Sequence, residues 1–171
     1  TDGVKLLMAD SYNNRVLIWN TLPNGNEAPD IVLGQENFFT NAPGRGKTNL
    51  NWPKSVATDG QKVVVTDTYN NRILIWNEFP VENGEPADIA LQGTDTGIAV
   101  SKSNLLWPWG VWTDGTKLAI TSTSQSSVLI WNTFPIRDNQ PADIFLTGNG
   151  ALGTPRQITS DGKSLIVGDH N

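Results

Sequence analysis

Residues 66–77 (Thr-Asp-Thr-Tyr-Asn-Asn-Arg-Ile-Leu-Ile-Trp-Asn) nearly copy residues 9–20, and residues 121–132 carry a worn third copy. A chain with such self-similarity builds one small unit several times and stacks the copies, which constrains the fold more than any local motif does. Each copy opens on Asp-Gly, with Gly3, Gly60, Gly115 and Gly162 spaced by 57, 55 and 47 residues. From that glycine to Trp19, Trp76 or Trp131 the distance is always 16 residues. The length differences fall after Gly34, Gly93 and Gly148. Constant cores with variable connectors are the pattern of stacked units joined by surface loops.

The cores read as strands. Residues 62–65 and 72–76 are short β-branched or aromatic runs bounded by Gly, Asn and Asp, with no room for a helix of normal length. They are almost continuously apolar rather than alternating, so both faces should be covered. Asp-Gly favours a tight hairpin, and Tyr69-Asn70-Asn71 makes a second turn. In the third connection Pro23, Pro80 or Pro135, and then Pro29, Pro86 or Pro141, stop the strands. The middle unit therefore has strands A to D near 53–58, 62–67, 72–77 and 88–92. Four-stranded antiparallel units buried on both faces describe the blades of an all-β propeller. A two-layer sandwich would want one wet face per strand and does not need this period.

The segment Trp52-Pro53-Lys54-Ser55-Val56-Ala57-Thr58-Asp59-Gly60, followed by Val65-Thr66-Asp67-Thr68-Tyr69-Asn70-Asn71-Arg72-Ile73, resembles the NHL repeat of β-propellers. That family's pattern is Pro-x-Gly-Val-Ala-Val-Asp and then Ala-Asp-Thr-x-Asn-Asn-Arg-Ile. The Leu-Ile-Trp-Asn ending and the Pro-Ala-Asp-Ile-x-Leu segment resemble a bacterial branch of it, and the likeness runs over essentially the whole chain. Ser55 departs from the family glycine, Gly110 matches it, and the third copy lacks the Asp and the Arg. Neither the Gly-His/Trp-Asp pair of WD40 repeats nor the Gly-Gly of kelch repeats is present.

Propellers close with roughly four to eight blades, and the resemblance implies six. This single segment is expected to hold about three. They are a partial B–C–D blade in 1–34, complete blades in 50–93 and 105–148, and a partial A–B blade in 154–171. Two chains would complete a ring, so a homo-oligomer is the expected state, with strand A near 154–159 of one chain finishing the B–C–D blade of the other. Residues 4–9 and 163–168 would then compete for one strand position. The chain begins without Met and ends at Asp169-His170-Asn171, which aligns with Asp67-Thr68-Tyr69 inside a turn. It reads as a half-ring or a piece of a longer array.

There is no cysteine, hence no disulfide framework. No signal peptide, transmembrane run or lipidation motif appears, so no membrane partner is expected. The compartment stays open, a secreted or periplasmic one included. With a net charge of −5, counterion release would contribute little to nucleic-acid binding, and none is expected.

Trp19, Trp76 and Trp131 hold one place at the end of strand C and are expected to wedge between blades. The family resemblance puts position x of Pro-x-Gly at the channel mouth, and Lys54, Trp109 and Arg156 occupy it. With Trp52 and Trp107 beside them, and Trp112 on the same strand, these residues would stack a sugar ring or clamp an acidic peptide, or else only fill the channel. Arg45 and Lys47 make the long first connector mildly basic and are added to the candidate rim. Arg45-Gly46-Lys47-Thr48 resembles the end of a phosphate-binding loop, but Asn41 stands where a glycine is required. Asp10 with Arg15, and Asp67 with Arg72, are expected to lock the B–C turns rather than hold a metal. His170 is the only histidine, which argues against a multi-histidine zinc site or Ser-His-Asp chemistry. No catalytic residue, metal or cofactor is expected. The reading is a non-catalytic propeller segment that binds a peptide, protein or glycan, or serves as a scaffold. The alternative is a metal-dependent lyase or lactonase-like hydrolase, which would need Glu, Asp and Asn at the strand A starts, where Pro, Lys, Trp and Arg stand. RNA binding ranks below it.

Overall fold

A computed structural model describes residues 2–92 and 101–170, and among them the fold is all-β with no α-helix. The first sheet has three strands, β1 (Leu6–Asp10), β2 (Arg15–Trp19) and β3 (Ile31–Leu33). The second has four, β4 (Ser55–Thr58), β5 (Val63–Asp67), β6 (Arg72–Trp76) and β7 (Ile89–Gln92). The third is β8 (Pro108–Thr113), β9 (Leu118–Ser122), β10 (Ser127–Trp131) and β11 (Ile144–Leu146), and the last is the pair β12 (Pro155–Ser160) and β13 (Leu165–Asp169). Every sheet is an antiparallel meander in chain order, as propeller blades are. The register repeats as well: Leu6 faces Trp19, Val63 faces Trp76 and Leu118 faces Trp131. The inner strands β4, β8 and β12 lie side by side, and β1 touches β4.

The core lies between sheets. Val16, Ile18, Ile31 and Leu33 of the first blade meet Val63, Val65, Leu74 and Trp76 of the second. Ile73, Ile75, Ile89 and Leu91 on the other side of the second blade meet Leu118, Ile120, Leu129 and Trp131 of the third. Every residue of β5 and β6 is buried, which explains why these strands lack polar alternation. Trp76 and Trp131 fill the junctions, and with Trp19 they donate their indole N–H to the carbonyls of Glu85, Gln140 and Glu27 at 2.9–3.0 Å.

One position reports what covers each blade. Ile31 and Leu33 are 5% and 0% exposed and Ile89 and Leu91 are 4% and 2%, but Ile144 and Leu146 are 41% and 45%. Asn83 and Gly84 of the second blade bond the backbone of β3, and Asp138 and Asn139 of the third bond that of β7; the last sheet has two strands among the described residues and offers β11 no such cover.

The Asp-Gly turns are Asx turns. Asp2, Asp59, Asp114 and Asp161 each accept the amides two and three residues on, at 2.6–2.9 Å. Partial burial pushes Asp59 and Asp114 up, but these amide bonds outweigh it and hold both below the usual carboxylate value of 3.8. A depressed folded-state pKa stabilises the fold above the unfolded value and is lost as pH falls through the folded one. Asp59→Asn with Asp114→Asn keeps an acceptor oxygen and removes the titration. The double variant should therefore lose less stability than the parent in denaturant titrations as pH falls below 3.8; an unchanged acid limb would refute this.

Candidate ligand-binding rim

Each B–C turn is a single turn of 3₁₀ helix that ends on a left-handed residue, namely Asn14, Asn71 or Ser126, with φ of 48–53°. Asparagine tolerates that conformation through its short polar side chain. The side-chain oxygens of Asn14 and Asn71 then accept the backbone N–H of Trp52 and Trp107 on the next blade, both at 2.8 Å. Trp52 and Trp107 are themselves left-handed, with φ of 53° and 52°. A bulky residue holds such a backbone only where its surroundings impose it. Here the asparagine clamp does so, and it aims both indoles at the rim. Asn71→Ala removes the acceptor and, keeping the Cβ, loses the short polar side chain that makes asparagine tolerant of a left-handed position. It should cost about 1–2 kcal/mol in chemical denaturation, while Asn71→Gly, which relieves the backbone, should cost less.

The clamped indoles join a continuous aromatic row. Tyr12 lies 6.4 Å from Trp52, Trp52 lies 6.0 Å from Tyr69 and 5.7 Å from Trp107, and Tyr69 lies 5.8 Å from Trp107. Trp109 closes on Trp52 at 6.1 Å. Most contacts are edge-to-face, the geometry favoured by the ring quadrupoles. The row is not buried: Tyr12 is 85% exposed, Tyr69 60% and Trp107 37%. Two cations sit on it. The Lys54 ammonium is 3.3 Å from the Trp52 ring centre and 5.0 Å from that of Trp109, and the Arg156 guanidinium is 4.7 Å from Trp109. Burial, and secondarily the Arg156 charge, lower the Lys54 pKa from its ordinary value.

The main chain beneath is already engaged. Ser11, Thr68 and Thr123 donate their hydroxyls to the carbonyls of Pro53, Pro108 and Pro155 on the following blade, at 2.5–2.7 Å. Thr66 accepts the Ser55 amide and donates to the Trp109 carbonyl, and Thr121 does the same between Gly110 and Arg156. These hydroxyls latch each blade to its neighbour.

Five of the seven residues read from the sequence as rim candidates come together: Trp52, Lys54, Trp107, Trp109 and Arg156. Trp112 does not join them. It lies three positions beyond Trp109 on the same strand and packs against the cluster of Ala119, Val128 and Ile158 between the last two blades. Lys47 does not face the rim either. Its ammonium bonds the Asp88 carbonyl at 2.6 Å and the Asp138 carboxylate at 3.1 Å. Arg45 lies in the connector that Arg72 grips. The Arg72 guanidinium donates to the carbonyls of Arg45, Gly46 and Asn49. Those residues therefore turn carbonyl oxygens, not amides, toward the nearest charge, the reverse of a phosphate cradle.

Asp10 and Arg15 pair at 2.8 Å, and Asp67 and Arg72 at 2.6 Å, within the turns. In the third blade Ser122, Gln125 and Ser127 replace Asp, Asn and Arg, and the Gln125 amide nitrogen and the Ser127 hydroxyl are buried without a partner. Among the described residues no three of His, Asp and Glu gather closely enough to hold a metal ion.

Sequence reasoning missed Tyr12 and Tyr69. The signal was available, because both sit at one position of the B–C turn, and those turns share the rim with the D–A connectors.

Repeated four-stranded meanders with inner strands side by side define a β-propeller, here with its rim residues along one end of the blades. A family model described as the NHL repeat matches residues 50–76, the segment from Leu50 to Trp76 that contains β4, β5, β6 and the Asp67–Arg72 turn. The chain is consistent with an NHL-repeat β-propeller. A comparison with curated proteins finds no match.

Proposed function

We propose that this chain is the ligand-binding arc of a non-catalytic propeller and takes a peptide, protein or glycan across the rim of Tyr12, Trp52, Tyr69, Trp107 and Trp109. The observation that carries this reading is an exposed row of rings in which two members, Trp52 and Trp107, are held in a costly left-handed conformation. Packing alone gives no reason to leave Tyr12 and Tyr69 in water while straining two tryptophans to meet them. Large, rigid aromatics with polar neighbours are the usual anchors of recognition surfaces. Tyr69→Ala with Trp107→Ala removes two exposed rings and no core residue. Against glycan and peptide arrays the parent should give a selective set of ligands, and the double variant should bind them about tenfold more weakly or worse. Equal binding by both proteins would sink the rim as the site.

The reading extends to assembly. The uncovered Ile144 and Leu146 want a strand pair, and a second copy of the chain offers one in its three-stranded first sheet. Pairing β12 with β1 of the second copy would displace β13, whose residues are all exposed or half-exposed. Light scattering across a dilution series should give a two-chain mass that Leu146→Glu shifts toward one chain. A parent that stays single-chain at every concentration would end this part of the proposal.

A further inference from the structure

We infer that the rim carries an anion seat beside Trp109, formed by Lys54 and Arg156, and that its ligand is an acidic glycan, a chain of sugar rings bearing carboxylates. This rests on the binding role proposed above and names the ligand class of that site.

Three observations lead there. The first is uncompensated charge. Asp2, Asp10, Asp59, Asp67 and Asp138 pair with Lys5, Arg15, Lys62, Arg72 and Lys47, but among the described residues no carboxylate pairs with Lys54 or Arg156. The Arg156 Nε–H is buried with no acceptor. A buried charged donor left unpaired is costly, and here it adjoins a second cation on the same indole. Burial first, and then the neighbouring Arg156 charge, lower the Lys54 pKa. An acceptor with negative charge relieves both groups, and a guanidinium fork suits a carboxylate.

The second is what the rest of the surface can offer. The amides of Asn51, Trp52, Lys54, Ser55 and Trp107 and the carbonyls of Pro53, Pro108 and Trp109 already have partners. A peptide strand would find almost no free main chain to pair with. Ring faces remain, and the apolar face of a sugar stacks on them without needing a backbone partner.

The third is extent. The row passes from Tyr12 through Trp52 to Tyr69 and Trp107 in steps of 5.7–6.4 Å. Several linked rings could therefore engage at once, with the charged group anchored at the Trp109 end. Two cations with an overall charge of −5 are too few for a phosphate backbone.

The test is titration of the whole chain, followed by tryptophan fluorescence and calorimetry, with four probes. They are an oligogalacturonate, its fully methyl-esterified form, a glutamate oligopeptide and a uridine oligonucleotide. The free uronate should bind about tenfold or more tightly than its ester, since a charge-assisted pair is lost on esterification, and raised salt should weaken the uronate alone. Arg156→Gln and Lys54→Gln should each remove most of that preference by weakening the uronate far more than the ester, and their far-ultraviolet circular dichroism should match the parent. Equal binding of uronate and ester would overturn the anion seat and leave the rim reading standing. Tighter binding of the glutamate peptide or the oligonucleotide would overturn the glycan assignment. No binding of any probe would refute both.

Discussion

Gly110→Ala should unfold the junction between the last two blades. A Cβ at Gly110 would stand 2.2 Å from the Arg156 carbonyl oxygen and 3.1 Å from both the Ile158 amide and its Cγ2. The Gly110 backbone is one that any residue adopts, so the whole effect is steric. The obstacle is main chain, and that oxygen is also fixed by the Thr121 hydroxyl at 2.8 Å. It cannot yield unless β12 leaves β8, which carries Ile158 out of the thin third core. The expected loss is about 3 kcal/mol in chemical denaturation, the upper range of overpacking. Tryptophan emission should also redden as Trp112 is uncovered. A variant within about 0.5 kcal/mol of the parent would mean that the blades slide freely past each other, against the packing described.

The second large effect belongs to Arg72. Its side chain is 2% exposed, its partner Asp67 is fully buried, and it also holds the long connector through three carbonyls. Burial pushes the Asp67 carboxyl upward, and Arg72, Asn70 and the Asn51 amide pull it back. Arg72→Met removes the strongest of these and leaves a buried carboxylate behind, for a loss of about 3–5 kcal/mol near neutral pH. The sign of its pH dependence follows. A carboxyl whose folded pKa is raised destabilises the fold above the unfolded value, and the penalty fades as the group is protonated. The gap between Arg72→Met and parent should therefore narrow as pH falls toward the unfolded value, and Asp67→Asn in the same background should recover part of the loss. The pair Arg15 and Asp10 is the internal control. It has the same chemistry with side chains 18% and 23% exposed, and Arg15→Met should cost only about 1 kcal/mol. Equal losses at the two positions would show that burial does not set the strength of these pairs.

The repeat made most of the strands legible, because Asp-Gly, Tyr-Asn-Asn and the prolines punctuate apolar runs at fixed intervals. Continuous apolarity in 62–65 and 72–76 gave away burial on both faces, since only stacked sheets cover both. The site was half legible. Lys54, Trp109 and Arg156 share a repeat position, and the fold brings equivalent positions of neighbouring blades together. Trp112 misled because it was grouped with Trp109 by strand alone, although residues three apart on a strand face opposite sides. Lys47 misled because its partner, Asp138, lies in the following blade and far along the chain. Tyr12 and Tyr69 passed unremarked because an exposed turn tyrosine is ordinary until its neighbours are seen.

The rim is best tested by the indole resonances of the seven tryptophans in nitrogen–proton correlation spectra. Trp19, Trp76 and Trp131 donate their indole N–H within their own blades and serve as references. On titration with the oligogalacturonate and the glutamate oligopeptide, the account predicts saturable shifts at Trp52, Trp107 and Trp109 with at least one of them. The three references and Trp112 should stay still. Shifts confined to the references, or seven unmoved indoles with both probes, would contradict it.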